Sequence, residues 1–292
     1  MKLELTHVTK RFGSVRALDD VSFTIPSGRA VALVGPNGSG KSTLIRALSG
    51  LIGCDGTVRF DGAPRSVRTA ERMAYVPQLA PQLVAPVSEL IQFHCSVRGV
   101  ESASVAEVTR RLGLELEAIL RQPFKNLSGG MKQKLLLALA LSVRADCYVF
   151  DEPTASLDAQ AREDFFALFA ERCRGSTLIL CSHRIEEIRH LVDHVVLLSE
   201  GRIAYDGPAA PYLARAGEAL IELLVAPDDL RGWLSERGFS LNASGWWGKR
   251  VARADKVRVV KELAAHLNGQ LENIVVRDLE RLEPTPEGPR DA

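Results

Sequence analysis

A chain of 292 residues is long enough for one large or two modest domains with a sizeable buried core. Its 37 basic and 36 acidic side chains leave a net charge of +1, so no global field draws it to nucleic acid or to an anionic bilayer, although local patches stay open. Five scattered cysteines, odd in number and without a C-x-x-C pair, speak against a disulfide framework and a zinc site, and for a reducing compartment.

The segment Met1 to His7 carries charge where a signal peptide would place apolar residues, so the chain reads as starting with mature protein. The longest apolar run, Leu135 to Leu141, is far short of the roughly 20 residues a spanning helix needs. If this protein works at a membrane, another chain crosses it. Residues 3 to 34 alternate apolar and polar positions in short β-branched pieces: Leu3, Leu5 and Val8, then Val21, Phe23 and Ile25, then Val31 to Val34. That pattern predicts half-buried strands with turns between them. Phe12, beside Gly13, is either a core aromatic or, given the glycine loop further along the chain, a ring placed to stack on a base.

Gly35-Pro36-Asn37-Gly38-Ser39-Gly40-Lys41-Ser42-Thr43 follows the run Val31 to Val34 and precedes Leu44 to Leu48, which reads as strand, glycine loop and helix. Glycines let the backbone fold around a phosphate without Cβ atoms in the way, and the helix start adds unpaired N–H groups and a positive dipole end. Lys41 reaches the β- and γ-phosphates and Ser42 can bind Mg²⁺, so this is a complete phosphate-binding P-loop.

Gly56 to Phe60 predicts a strand closed by Asp61-Gly62, and Met73 to Val76 another closed by Pro77-Gln78. A glutamine at such a strand end is commonly just a solvated loop residue. From about 79 to 145 helical patterns take over, at Ser88 to Val97, Ser104 to Leu112 and Ser128 to Val143, as a helical insertion in an α/β domain. Ser128 is a good N-cap, and Gly129 and Gly130 leave that helix entrance bare enough for a phosphate to approach. Tyr148 to Phe150 predicts a buried strand ending in Asp151 and Glu152. The pair is an acidic turn or a catalytic set, in which Asp151 reaches a Mg²⁺ on the P-loop helix and Glu152 takes a proton from water attacking the γ-phosphate. An amphipathic helix with Ala161, Phe165, Leu168, Phe169 and Cys173 on one face comes next; Leu178 to Cys181 is a strand delivering His183, and Val195 to Tyr205 a closing hairpin.

Taken in order and spacing, Gly35 to Thr43, Gln78, Leu127-Ser128-Gly129-Gly130, Tyr148 to Glu152, Ser156-Leu157-Asp158 and His183 resemble an ATP-binding cassette (ABC) ATPase over about residues 1 to 210. The resemblance implies an α/β P-loop NTPase fold of ABC type, with a mixed sheet core, an antiparallel β subdomain and a helical subdomain. It also implies that Phe12 stacks on adenine, that Lys41 and the loop amides hold ATP, and that Ser42 and Asp151 bind Mg²⁺. Gln78 would contact Mg²⁺ or the attacking water, Glu152 would be the general base and His183 would sense the γ-phosphate. Ser128, Gly129 and Gly130 would read the ATP of a partner subunit, and Asp158 would belong to a loop crossing that dimer interface. The fifth signature residue is usually glutamine, and here it is Met131, which donates no hydrogen bond; the turnover rate, more than ATP sandwiching, is the property that departure touches.

Beyond Gly207-Pro208 the composition shifts, and about residues 218 to 282 read as βαββαβ, a small α+β ferredoxin-like module. A docking or dimerisation appendage and a ligand-sensing domain are its two readings, and Trp246 and Trp247 are core or a contact patch. Residues 283 to 292 read as a disordered tail. The function this implies is the ATP-hydrolysing subunit of an ABC transporter, peripheral to the cytoplasmic face of the inner membrane. It would pair with a second cassette and with permease subunits, with no nucleic acid and no span of its own. The C-terminal module resembles ATPases of the ABC-2 export type. The rival is a soluble ABC ATPase acting on nucleic acid or ribosomes; such relatives tend to carry two cassettes or a long coiled-coil insertion, and this chain has neither.

Overall fold

Alternating burial drives the first pairing. Strands β1 (Leu3–Phe12) and β2 (Val15–Ile25) form an antiparallel hairpin that buries Leu3, Leu5 and Val8 against Leu18, Val21 and Ile25. Gly13, at φ 57, makes its tip. The computed structural model describes residues 1–182, 190–215, 218–225, 230–242, 244–252, 255–267 and 270–279, and the chain divides into two compact units, Met1–Gly207 and Pro208–Ala292.

In the first unit, β4 (Asp55–Phe60) and β5 (Ala63–Pro64) turn back through Asp61 and Gly62, both at positive φ, and complete a four-stranded antiparallel sheet in the order β2-β1-β4-β5. A second sheet is built from β3 (Ala30–Val34), β6 (Met73–Val76), β7 (Cys147–Asp151), β8 (Thr177–Cys181), β9 (His194–Ser199) and β10 (Arg202–Pro208), in the order β10-β9-β3-β8-β7-β6. The five strands from β9 to β6 in that order pair in parallel, and β7 and β8 are buried at every residue. Their sequences are accordingly continuous apolar runs, as expected for strands covered on both faces.

Helix α1 (Lys41–Ser49) follows β3 directly, and a short α2 (Val67–Glu71), capped by a reciprocal Ser66 and Thr69 box, precedes β6. Between the neighbouring strands β6 and β7 lie α3 (Val87–Arg98), α4 (Ser102–Arg111) and α5 (Gly129–Leu141). These helices share a core of their own, with Val87, Ile91, Val105, Phe124, Leu135 and Leu139 at its centre. Helix α6 (Ala159–Arg172) packs Phe165 and Phe169 on Phe150 of β7, each with ring centroids 5.7 Å apart. Each such buried ring contributes about 1.5–3 kcal/mol, which holds the end of β7 in place.

The second unit opens with α7 (Ala209–Arg215) and continues as β11 (Glu218–Val225), α8 (Arg231–Glu236), β12 (Ser240–Leu241), β13 (Trp247–Ala252), α9 (Lys256–His266) and β14 (Leu271–Leu279). Its sheet runs β12-β13-β11-β14 with every pairing antiparallel. Ala219, Ile221 and Leu223 meet Leu234, Val259 and Leu263 of the two helices in its core. Trp247 begins β13 opposite Leu223 and is buried there, while Trp246 is half-buried. The helix expected over 228 to 237 is described only from Leu230 onward, and the expected tail lies outside the described residues.

Candidate active site

Parallel pairing brings the ends of four strands to one edge. Leu33 stands beside Cys181, Cys181 beside Asp151, and Phe150 beside Val76, so the loops leaving these strands collect at the carboxyl end of the sheet, where open α/β sheets bind ligands. After β3 the chain turns through Gly35, Gly38 and Gly40 at φ 148, 83 and 105. A Cβ on Gly35 would stand 2.2 Å from the carbonyl oxygen of Leu198, and one on Gly40 2.4 Å from that of Ala17. Gly40 is the N-cap of α1, with no side-chain cap and no acidic residue in the first turn. The first-turn N–H groups and the positive end of the dipole are therefore presented to a ligand. Lys41 curls back over this loop, its Nζ donating to the carbonyls of Gly35 at 2.7 Å and Pro36 at 2.9 Å.

A cavity of about 390 Å³ opens over the loop. Asn37, Gly38, Gly40, Lys41, Ser42 and Thr43 line one side, and Gln78, Asp151 and Glu152 the other. Asp151 is 2 % exposed, and its Oδ1 has no hydrogen-bond partner among the described residues. A buried, unpaired carboxylate oxygen is costly unless a ligand answers it. It shares the cavity with the Ser42 hydroxyl and the Gln78 carboxamide, and three hard oxygen donors fit Mg²⁺. Glu152, also buried, holds φ 51 and donates its N–H to the carbonyl of Cys181 at 2.8 Å. A left-handed conformation at a non-glycine residue costs about 1–3 kcal/mol and concentrates at functional positions. Behind Asp151, burial first and the carboxylate second push the Tyr75 phenol up to about 12, so it stays neutral.

The serine-glycine helix entrance lies elsewhere. Ser128 caps α5, its Oγ accepting the N–H of Met131 at 3.2 Å, and none of Ser128, Gly129 and Gly130 lines the cavity. Instead they sit against the loop that leaves Glu152. A Cβ on Gly130 would be 3.1 Å from the carbonyl oxygen of Ser156. Gln133 donates to the carbonyl of Pro153 at 3.0 Å, and Lys134 pairs with Asp158 at 3.1 Å. Asp158 also caps α6 through the N–H of Ala161 at 2.8 Å. That N–H, and Lys134 after it, hold the Asp158 carboxyl below the usual carboxylate range.

Residues 18–155 match the family model described as ABC transporter. The nickel import ATP-binding protein NikO of Rhodobacter capsulatus is 37% identical to this chain over 73% of it and 91% of the relative. The chain is an ABC transporter ATP-binding subunit. A second relative, the sulfate/thiosulfate import ATP-binding protein CysA of Xanthomonas campestris pv. campestris, is 30% identical over 91% of both chains. Among solved structures, an ATP-binding subunit of an ABC transporter superposes with a TM-score of 0.63 at 25% identity, covering 82% of this chain and 96% of that one. A bacterial Atm1-family ABC exporter with ATP bound shares the fold, with a TM-score of 0.65 at 24% identity over 73% of this chain and 40% of that one. Import systems name the two curated relatives and an exporter one structural neighbour, so membership stands at the level of the ATP-hydrolysing subunit.

Within this ABC subunit, the loop and the two carboxylates meet in one cavity, while Phe12 does not line it. The ring is 51 % exposed, outside the core, and opposite Val15, which does line the cavity. The Nζ of Lys10 lies 5.3 Å from the ring centroid. Gly35, Pro36 and Ser39 shape the loop from behind, without lining the cavity. His183 lies outside the described residues. Arg16, Cys181, Glu200 and Gly201 line the cavity without having been singled out in the sequence; the hairpin register that sets Val15 beside Phe12 was the signal for Arg16. If Phe12 stacks on the base, replacing it by Ala is expected to raise the KM for ATP roughly five- to twentyfold with little change in kcat, since base–aromatic stacking is worth about 1–3 kcal/mol. Steady-state kinetics against ATP and a nucleotide with another base reads this out.

Proposed function

We propose that the cavity binds MgATP and that Glu152 drives hydrolysis by taking a proton from the attacking water. The observation that carries this reading is the meeting of the P-loop with the buried, unpaired oxygen of Asp151 and with Glu152 at the strand ends. Lys41 would leave its own carbonyls for the β- and γ-phosphates, the loop amides would hold the remaining phosphate oxygens, and Phe12 would cover the base. Ser42, Asp151 and Gln78 would hold Mg²⁺, which when bound neutralises charge building on the transferred phosphoryl group. The Glu152 backbone is held at the strand end by its N–H bond to Cys181, which places its side chain at the cavity.

Ser128, Gly129 and Gly130 stand outside the cavity of their own chain, which supports a head-to-tail dimer in which each entrance covers the partner's ATP. Leu79, Leu83 and Val84 after β6, and Phe93 and Val97 on α3, are exposed apolar side chains in the segments that follow Gln78, and they would suit contact with a permease. No described helix is long and apolar enough to cross a membrane. A peripheral place at the cytoplasmic face, through a separate permease, follows from this reading. In the second unit the chain order βαββαβ and the sheet order β12-β13-β11-β14 support a ferredoxin-like module, acting as a docking or dimerisation appendage.

Expressed beside its genomic neighbours, the subunit should co-purify from detergent-solubilised membranes with a polytopic partner. Phe93→Glu should lose most of that partner while keeping ATPase activity in the isolated subunit. Recovery only in soluble, salt-sensitive association with nucleic acid would overturn the permease reading.

A further inference from the structure

A bound triphosphate carries more negative charge than Mg²⁺ and Lys41 alone would answer, so the other cations at the cavity matter. Among the described residues, Asp151, Glu152 and Glu200 line it together with two cations, Lys41 and Arg16. On the hairpin Arg16 stands directly opposite Arg11, a like-charged cross-strand pair that needs an anion beside it, and in this structure Asp19 is that anion.

Arg16 is held by Asp19, with Nη1 2.5 Å from Oδ1. The other oxygen, Oδ2, accepts from Nε of Arg202 at 2.9 Å and from its Nη2 at 2.5 Å. The Asp19 side chain is 15 % exposed, against 42 % for Arg16 and 69 % for Arg202. Burial works against ionisation of Asp19, yet Arg202 and Arg16 hold its carboxyl below the usual range. One largely covered carboxylate thus carries two guanidiniums, and only Arg16 lines the cavity. With Arg202 in place, Asp19 is not left as a bare charge when Arg16 departs, which removes the main cost of breaking an ion pair. A guanidinium matches phosphate oxygens in planar, paired geometry, and charge-assisted bonds of this kind are the strong ones.

We propose that Arg16 is a nucleotide contact that leaves Asp19 for the phosphate chain of bound ATP, while Arg202 keeps the Asp19 charge compensated. This rests on the reading that the cavity holds ATP. Arg202 then acts at a distance. Without it Asp19 needs Arg16, and ATP must compete for that cation.

The test is ATP affinity by isothermal titration for the full chain and for Arg16→Ala, Arg16→Gln, Arg202→Ala and the double Arg16→Ala/Arg202→Ala, each checked for an unchanged unfolding midpoint. Lys41→Ala serves as a control for the site. Arg16→Ala and Arg16→Gln are expected to weaken ATP about tenfold. Arg202→Ala should weaken it about threefold, and the double variant should match Arg16→Ala alone, because the Arg202 effect runs through Arg16. Wild-type affinity in both Arg16 variants, with binding lost in Lys41→Ala, overturns this inference and leaves the ATP site standing. An Arg202 effect that persists undiminished without Arg16 overturns the exchange. Undiminished binding in Lys41→Ala would instead overturn the ATP-site reading on which the inference rests.

Discussion

Glu152→Gln is expected to lower kcat about 10²- to 10⁴-fold while ATP still binds, and to leave an ATP-bound dimer that elutes ahead of the monomer on sizing. General-base catalysis is worth that range, and glutamine keeps the shape of the side chain but accepts no proton. The position argues for a chemical effect over a structural one. Glu152 is fixed through its backbone, by the N–H bond to Cys181 and the turn at φ 51, and the substitution leaves both in place. ATP affinity should change less than threefold, because the loop amides and Lys41 are untouched. If the two signature entrances each cover the partner's nucleotide, stalled hydrolysis traps the closed pair, and ADP should not. Undiminished turnover in Glu152→Gln would remove Glu152 from the role of base.

Gly35→Ala should be the most damaging single change in the loop. The new Cβ would lie 2.2 Å from the carbonyl oxygen of Leu198 and 2.7 Å from Oγ of Ser39, at a φ of 148. The closer neighbour is backbone of β9, inside the parallel sheet, and cannot swing aside. Strain and overpacking together put the loss at roughly 2–5 kcal/mol. For a unit of this size that moves the unfolding midpoint down by roughly 5–15 °C, with ATP affinity falling at least tenfold as the loop shifts. Gly38→Ala makes the contrast. It has nothing within 4 Å and φ 83, so only conformational strain of about 1–2 kcal/mol applies. Scanning calorimetry of the two variants separates them, and equal midpoints would refute the tight seating of Gly35 against β9.

Much of the cassette was legible because its signals are short-range. The runs Val31 to Val34, Tyr148 to Phe150 and Leu178 to Cys181 are continuous and apolar since their strands are buried on both faces. Ser128 and Gly130 announced a helix start, and α5 begins there. The features that stayed hidden are set by pairing partners far apart in the chain. Asp19 of β2 meets Arg202 of β10, a separation of 183 residues, and no local periodicity marks it. Gln133 breaks the apolar pattern of α5, and only the fold shows that its amide ties that helix to Pro153. Helix α2 escaped notice although Ser66 and Thr69 carry capping-box spacing, because five residues are too few to show a period. Of the two readings of Trp247, core or contact patch, its burial opposite Leu223 of β11 shows core, a pairing no local periodicity reveals.

Lys41 folded onto the carbonyls of Gly35 and Pro36 makes the loop a latch as well as a cradle. Two of the three ammonium donors are taken up there, so a ligand would have to offer more than two neutral oxygens before the lysine moves. On the MgATP reading, a nucleoside or a short anion that stops below the lysine's reach would leave the latch shut. If the cavity binds ATP as proposed, the loop would discriminate by phosphate-chain length, since only a chain long enough to reach Lys41 would draw it off its own carbonyls.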